Sequence, residues 1–130
     1  MTRKKVLLVD DSSTALLLEQ MILQSRSDFE LIVARDGQEA LEKALAKLPD
    51  LIVMDVVMPR MTGIEACRQL RLRETTCQIP IIMVTTRGEP EHVELGYASG
   101  CNDYVTKPVN GTELLSKIDD LIGAEEEALR

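Results

Sequence analysis

Short, nearly unbroken apolar runs alternate along this chain with longer stretches in which apolar residues recur every three or four positions. Val6-Leu7-Leu8-Val9 runs into Asp10-Asp11, Leu31-Ile32-Val33-Ala34 into Arg35-Asp36-Gly37, and Leu51-Ile52-Val53-Met54 into Asp55. Ile81-Ile82-Met83-Val84 runs into Thr85-Thr86, and a weaker pair, Tyr104-Val105, into Thr106-Lys107-Pro108. Continuous rather than alternating apolar runs predict strands buried on both faces, the habit of parallel sheets.

The stretches between them read as helices. Ser12 or Ser13 can cap one that carries Leu16, Leu17, Ile22 and Leu23. A second carries Ala40, Leu41, Ala44, Leu45 and Leu48 and stops at Pro49, and a third opens at Thr62 and runs through Ile64, Cys67 and Leu70. The last opens at Thr112 and carries Leu114, Leu115, Ile118, Leu121 and Ile122. Pro90 to Ser99 is the poorest helix, thin in apolar residues and interrupted by Gly96. Five β-α units in 130 residues predict an α/β fold, a doubly wound parallel sheet with five helices and right-handed crossovers. Residues 1–130 then make one domain with a core over about 5–122, and 123–130 a tail or helix extension.

Composition narrows the partners. Fifteen Lys and Arg against twenty-two Asp and Glu leave a net charge of −7, which argues against a nucleic-acid or anionic-membrane surface. A single histidine, His92, rules out a multi-histidine metal site and reads as a surface residue of the weak helix. Three cysteines without a CxxC, and no secretory leader or membrane-spanning run, lead us to expect reduced thiols and a cytoplasmic location. Cys67 and Cys101 read as core or helix residues, Cys77 as the one plausible reactive thiol, and the methionines as filler.

The polar residues that end the strands change the picture most. Ligands of open parallel sheets bind beyond the carboxyl ends of the strands, where this chain puts Asp10, Asp11, Asp55, Thr85 and Lys107. Three converging carboxylates repel one another by about 3 kcal/mol per pair at about 5 Å and an effective dielectric of about 20. Such a cluster calls for a cation, and hard oxygen ligands favour Mg²⁺ over Zn²⁺. Lys107 and Thr85 add a point charge and a hydroxyl donor, and Pro108 offers a possible cis bond after the lysine. A nucleophilic carboxylate, a metal and two donors together describe a phosphoryl-transfer site.

These residues, in their motifs, resemble the response-regulator receiver family, the CheY-like domains. The likeness runs from Lys5 to about Ile122 and includes Leu8-Val9-Asp10-Asp11-Ser12, Met54-Asp55-Val56-Val57-Met58-Pro59-Arg60-Met61-Thr62-Gly63 and Tyr104-Val105-Thr106-Lys107-Pro108. The resemblance implies strand order 2-1-3-4-5. It implies Asp55 as the phosphoacceptor for a sensor histidine kinase or phosphotransfer protein. It implies Mg²⁺ held by Asp11, Asp55 and the backbone carbonyl of Val57, with Asp10 acting through water. Lys107 and Thr85 would bind phosphoryl oxygens. Thr85 and Tyr104 would form the switch, with Tyr104 on the strand face opposite Lys107. The Pro90–Ser99 helix, last strand and last helix would meet an effector protein, as a monomer or a phosphorylation-linked dimer. Val57 and Arg87 stand where the family tunes phosphate lifetime.

The resemblance implies a switch that promotes only its own phosphorylation and dephosphorylation rather than an enzyme, and leaves open a stand-alone protein or the receiver part of a longer regulator. A Mg²⁺-dependent aspartyl-phosphate phosphatase wants a second acid two residues after the nucleophile, where Val57 stands. An FMN carrier is opposed by Asp10-Asp11 at its phosphate loop and by a total of three aromatic residues. A receiver-shaped interaction module that works without phosphorylation leaves the complete acid, hydroxyl and lysine set unexplained.

Overall fold

The computed structural model describes residues 3–26, 28–86 and 90–123. Five parallel strands, β1 (Lys4–Val9), β2 (Phe29–Ala34), β3 (Leu51–Asp55), β4 (Ile81–Thr86) and β5 (Asp103–Lys107), form one sheet in the order β2-β1-β3-β4-β5. Between and after them lie α1 (Ser13–Gln24), α2 (Gly37–Lys47), α3 (Gly63–Arg71), α4 (Pro90–Ser99) and α5 (Gly111–Ile118). The expected strand order and helix number both hold.

The unbroken apolar runs are unbroken because each strand feeds two cores. Leu7, Val9, Ile52, Met54, Ile81 and Met83 pack with α2 and α3 on one face. Val6, Leu8, Leu51, Val53, Ile82 and Val84 pack with Leu16 and Leu23 of α1 and Leu114 and Ile118 of α5 on the other. A two-sided core leaves the strand ends as the place where polar side chains can gather.

Helix starts follow the capping signals. Ser12, Asp36, Thr62 and Asn110 each accept a hydrogen bond from the backbone N–H three residues on. Glu39, Glu65 and Glu113 occupy the third helical position after three of these caps, as in a capping box. Asn110 rather than Thr112 therefore opens the last helix, and a π-helical turn, Asp119–Gly123, carries Leu121 and Ile122 onward. Leu17, expected on the buried stripe of α1, is exposed; the stripe instead runs Leu16, Glu19, Leu23.

Cys67 and Cys101 are buried, as the sequence suggested, Cys77 is half-buried, and burial pushes the Cys101 thiol up to about 12. Among the described residues no helix is long and apolar enough to cross a membrane. Arg87 and most of the 123–130 tail lie outside the described residues.

Candidate functional site

Strand alternation decides which polar groups meet. Val9 and Met54 face the α2 and α3 side, so Asp10 and Asp55, one step on, face the α1 and α5 side. Val105 already lies on that side, and Lys107 follows it by two. The lysine Nζ stands 2.9 Å from Asp10 Oδ2 and 3.3 Å from Asp55 Oδ2. Its bond to Pro108 is cis. Asp10 is fully buried, and its other oxygen accepts from the Ser12 N–H at 2.9 Å, where α1 begins. Asp11 is exposed beside them, its backbone carbonyl accepting from Arg35.

One carboxylate oxygen from each of Asp10, Asp11 and Asp55 lies within 4.8 Å of the others. Among the octahedral ligands of a Mg²⁺ ion, neighbouring oxygens stand roughly 3 Å apart and opposite ones roughly 4.2 Å, so the trio must draw together to hold one directly or reach it in part through water. Hard donors, two of them buried and already charge-paired, fit that ion. Lys107 now occupies the position of positive charge that the cluster requires.

Electrostatics mark the same spot. Burial pushes the Asp55 carboxyl up to about 6, with Asp10 adding to the rise and the Lys107 ammonium and Val57 backbone N–H opposing it. Burial also works to lower Lys107, but the carboxylates of Asp10 and Asp55 outweigh it and hold the ammonium above its ordinary value.

The loop after Asp55 is pinned by close backbone approaches. A Cβ on Gly63 would sit 2.1 Å from the Asp55 carbonyl oxygen, and one on Gly37 would sit 2.2 Å from that of Met61. The Gly63 N–H donates to Val56 and the Gly37 N–H to Met61, while Arg60, in the left-handed region at φ 66°, pairs with Asp36. The segment that carries Val57 is thereby tied to both α2 and α3. The Val57 side chain is 59% exposed at the mouth of the site.

Not every expected residue joins. Thr85 is buried on the neighbouring strand, paired across from Thr106, and its hydroxyl donates to the Thr86 carbonyl rather than into the cluster. Tyr104 packs against the α2 and α3 core, edge-on to Tyr97 with ring centroids 5.9 Å apart and under the Lys117 ammonium. That is the face opposite Lys107, as the odd separation of the two requires. His92 is half-buried on α4 and belongs to no metal-capable cluster among the described residues.

One group near the site escaped the sequence reading. Glu19 is 1% exposed on the inner face of α1, and neither of its carboxyl oxygens is hydrogen-bonded. Burial first, and then Asp10, pushes its carboxyl up to about 8; Lys107 acts against the rise and Asp55 adds to it. The signal was available, since Leu16, Glu19 and Leu23 share one helical stripe.

Comparison with known proteins points one way. A family model for the response regulator receiver domain matches residues 6–119. The alkaline phosphatase synthesis transcriptional regulatory protein PhoP of Bacillus subtilis is 41% identical over 123 residues, 95% of this chain and 50% of that protein. The chain thus spans about half the length of that curated relative. A response regulator structure from Chloroflexus aurantiacus superposes with a TM-score of 0.89 at 30% identity, covering 94% of this chain and 99% of that one. The receiver domain of sensor histidine kinase PA1611 from Pseudomonas aeruginosa, with magnesium coordinated in its active-site cleft, gives 0.84 at 29% identity, with 94% and 99% covered.

Proposed function

The chain belongs to the response regulator receiver domain family, and on that premise we propose that it is a phosphoacceptor switch whose acceptor is Asp55. A carboxylate oxygen of Asp55 attacks the phosphorus of a phosphohistidine on a sensor histidine kinase or phosphotransfer protein. The P–N bond breaks, and the imidazole leaves. Asp11, Asp55 and the Val57 carbonyl would hold Mg²⁺, with Asp10 acting through water, and the ion would supply positive charge for the phosphoryl oxygens. Lys107 and Thr85 receive those oxygens. The observation that carries this reading is the ammonium of Lys107 held between two buried strand-end acids, Asp10 and Asp55.

Incubation with acetyl phosphate and Mg²⁺ followed by intact-mass measurement tests it. The protein is expected to gain roughly 80 Da, one phosphoryl group, and Asp55→Asn is expected to gain nothing. Equal labelling of the variant would place the acceptor elsewhere.

Val57 is exposed and apolar, so it offers no hydrogen bond to an attacking water. Val57→Asn is therefore expected to lose its phosphoryl group severalfold faster than the parent, followed by the decay of the phosphorylated mass. An unchanged decay rate would separate this position from phosphate lifetime.

The signal leaves through α4, β5 and α5, toward an effector protein. The support is physical: Gly96 and Ser99 are the buried residues of α4, whereas Leu95 and Tyr97 are exposed, so the helix has little to anchor it. Thr85, turned toward its own strand, and Tyr104, edge-on to Tyr97, link the site to that helix. Hydrogen exchange over 90–104 should change when a phosphoryl mimic is added; identical protection would remove these elements from the switch. On this reading residues 1–130 form one receiver domain, cytoplasmic, with no nucleic-acid or membrane surface of its own. It acts as a monomer or a phosphorylation-linked dimer, and promotes only its own phosphorylation and dephosphorylation.

A further inference from the structure

Glu19 has no part in the phosphoryl chemistry just described, yet the fold keeps its carboxyl buried with both oxygens unpartnered. An apolar side chain would fill this point of the Leu16–Leu23 stripe at no such cost. Glu19 is one of the residues lining a cavity of about 380 Å³ between α1 and the β5–α5 connection. Ala15, Leu18, Pro108 and Val109 wall that cavity, and among the described residues its ionisable members are Glu19 and Lys107. Lys107 is also the one influence drawing the Glu19 carboxyl toward its ionised form. The cavity therefore joins an orphaned acid to the lysine of the site.

Lys107 has a reason to use it. Its ammonium now neutralises Asp10 and Asp55 from 2.9 and 3.3 Å, and a divalent cation on Asp10, Asp11 and Asp55 would claim the same oxygens. Once two positive charges sit there the ammonium is repelled, while its partly buried position still demands a counter-charge. We propose that Glu19 is a second seat for the Lys107 ammonium, taken when a divalent cation occupies the acid trio. This rests on the Mg²⁺ reading given above. Glu19 is then a positioning residue. It keeps the lysine beside the metal, paired and ready to return when phosphoryl oxygens appear on Asp55, and it eases metal entry by giving the displaced ammonium a partner.

Mg²⁺ titration of the parent, Glu19→Gln, Lys107→Met and the double variant, followed by amide and lysine-ammonium NMR signals, tests this. Glu19→Gln is expected to weaken Mg²⁺ binding about fivefold when Lys107 is present and less than twofold in the Lys107→Met background. The Lys107 ammonium signal should move on Mg²⁺ addition in the parent and follow a different course in Glu19→Gln. An equal weakening in both backgrounds would make Glu19 a mere distant charge and overturn the second seat. So would unchanged affinity in Glu19→Gln. If Mg²⁺ leaves the amides of Asp10, Asp11 and Asp55 unmoved in the parent, the metal reading itself fails, and this inference falls with it.

Discussion

Glu19→Leu is expected to stabilise the metal-free protein, and to do so far more at pH 8 than at pH 4. The glutamate is held almost wholly out of water with no hydrogen bond to either oxygen, and its folded-state value rises from 4.5 to about 8. An acid with a raised value binds its proton more tightly in the native than in the unfolded state. Between about 4.5 and 8 the native state therefore holds the extra proton, and stability falls as pH rises through that window. At 1.36 kcal/mol per pH unit the full loss is about 5 kcal/mol, as an upper bound. Below the window the neutral acid still lacks partners, and leucine gains about 1 kcal/mol from that alone. Urea unfolding in EDTA at pH 4, 6 and 8 reads both parts. Glu19→Gln, which mimics the neutral acid, should abolish the pH-dependent part and leave the rest. A leucine advantage that stays constant from pH 4 to pH 8 would show that Glu19 does not titrate in this range.

The fold was legible because its signals are local and repeated. The apolar runs in β1, β3 and β4 could only be strands buried twice, and the structure divides their side chains between two cores as that requires. Helix starts were legible wherever a capping residue stood alone, as at Thr62. Asn110 was overlooked for Thr112 because both can cap. Side-chain geometry settles it, since the Asn110 oxygen meets the Glu113 N–H at 2.9 Å. Leu17 misled for a related reason. Hydrophobicity alone does not say which way a helix turns, and α1 turns Glu19 inward instead.

The candidate site was legible in part, since the residues that end strands are fixed by the strands. Asp10, Asp55 and Lys107 meet because strand parity sends all three to one face of the sheet. The Arg60–Asp36 pair and the Gly37–Met61 contact were not legible, because each joins segments far apart in sequence, whereas Glu19 stood in plain view on the Leu16–Leu23 stripe and was passed over for its charge. The resulting carboxylate crowding differs from the sequence picture as well. Asp11 is exposed, and the strain falls on Asp10, Asp55 and Glu19, with one lysine among them.

That uneven load makes the charge of Lys107 costly to remove from the metal-free fold. Lys107→Met retains the length and apolar stem of the side chain but takes the ammonium from Asp10, which is fully buried, and from Asp55, which is 7% exposed. Stranding buried carboxylates in this way costs about 3–5 kcal/mol. Because the lysine side chain is 29% exposed, about 2–3 kcal/mol is the expected loss at pH 8. The sign of its pH dependence follows from Asp55, already raised to about 6 by burial. Without the ammonium its carboxyl rises further, so the variant loses most at high pH and recovers as falling pH protonates Asp55. Mg²⁺ provides a second lever. With the ammonium gone the metal meets no competitor for the same oxygens, so saturating Mg²⁺ should stabilise Lys107→Met by more than it stabilises the parent. Urea unfolding at pH 5 and pH 8, with EDTA or with Mg²⁺, reads all of these differences in one series. A loss that responds neither to pH nor to metal would mean that Lys107 contributes its stem rather than its charge, and the cluster would then be balanced by something other than this lysine.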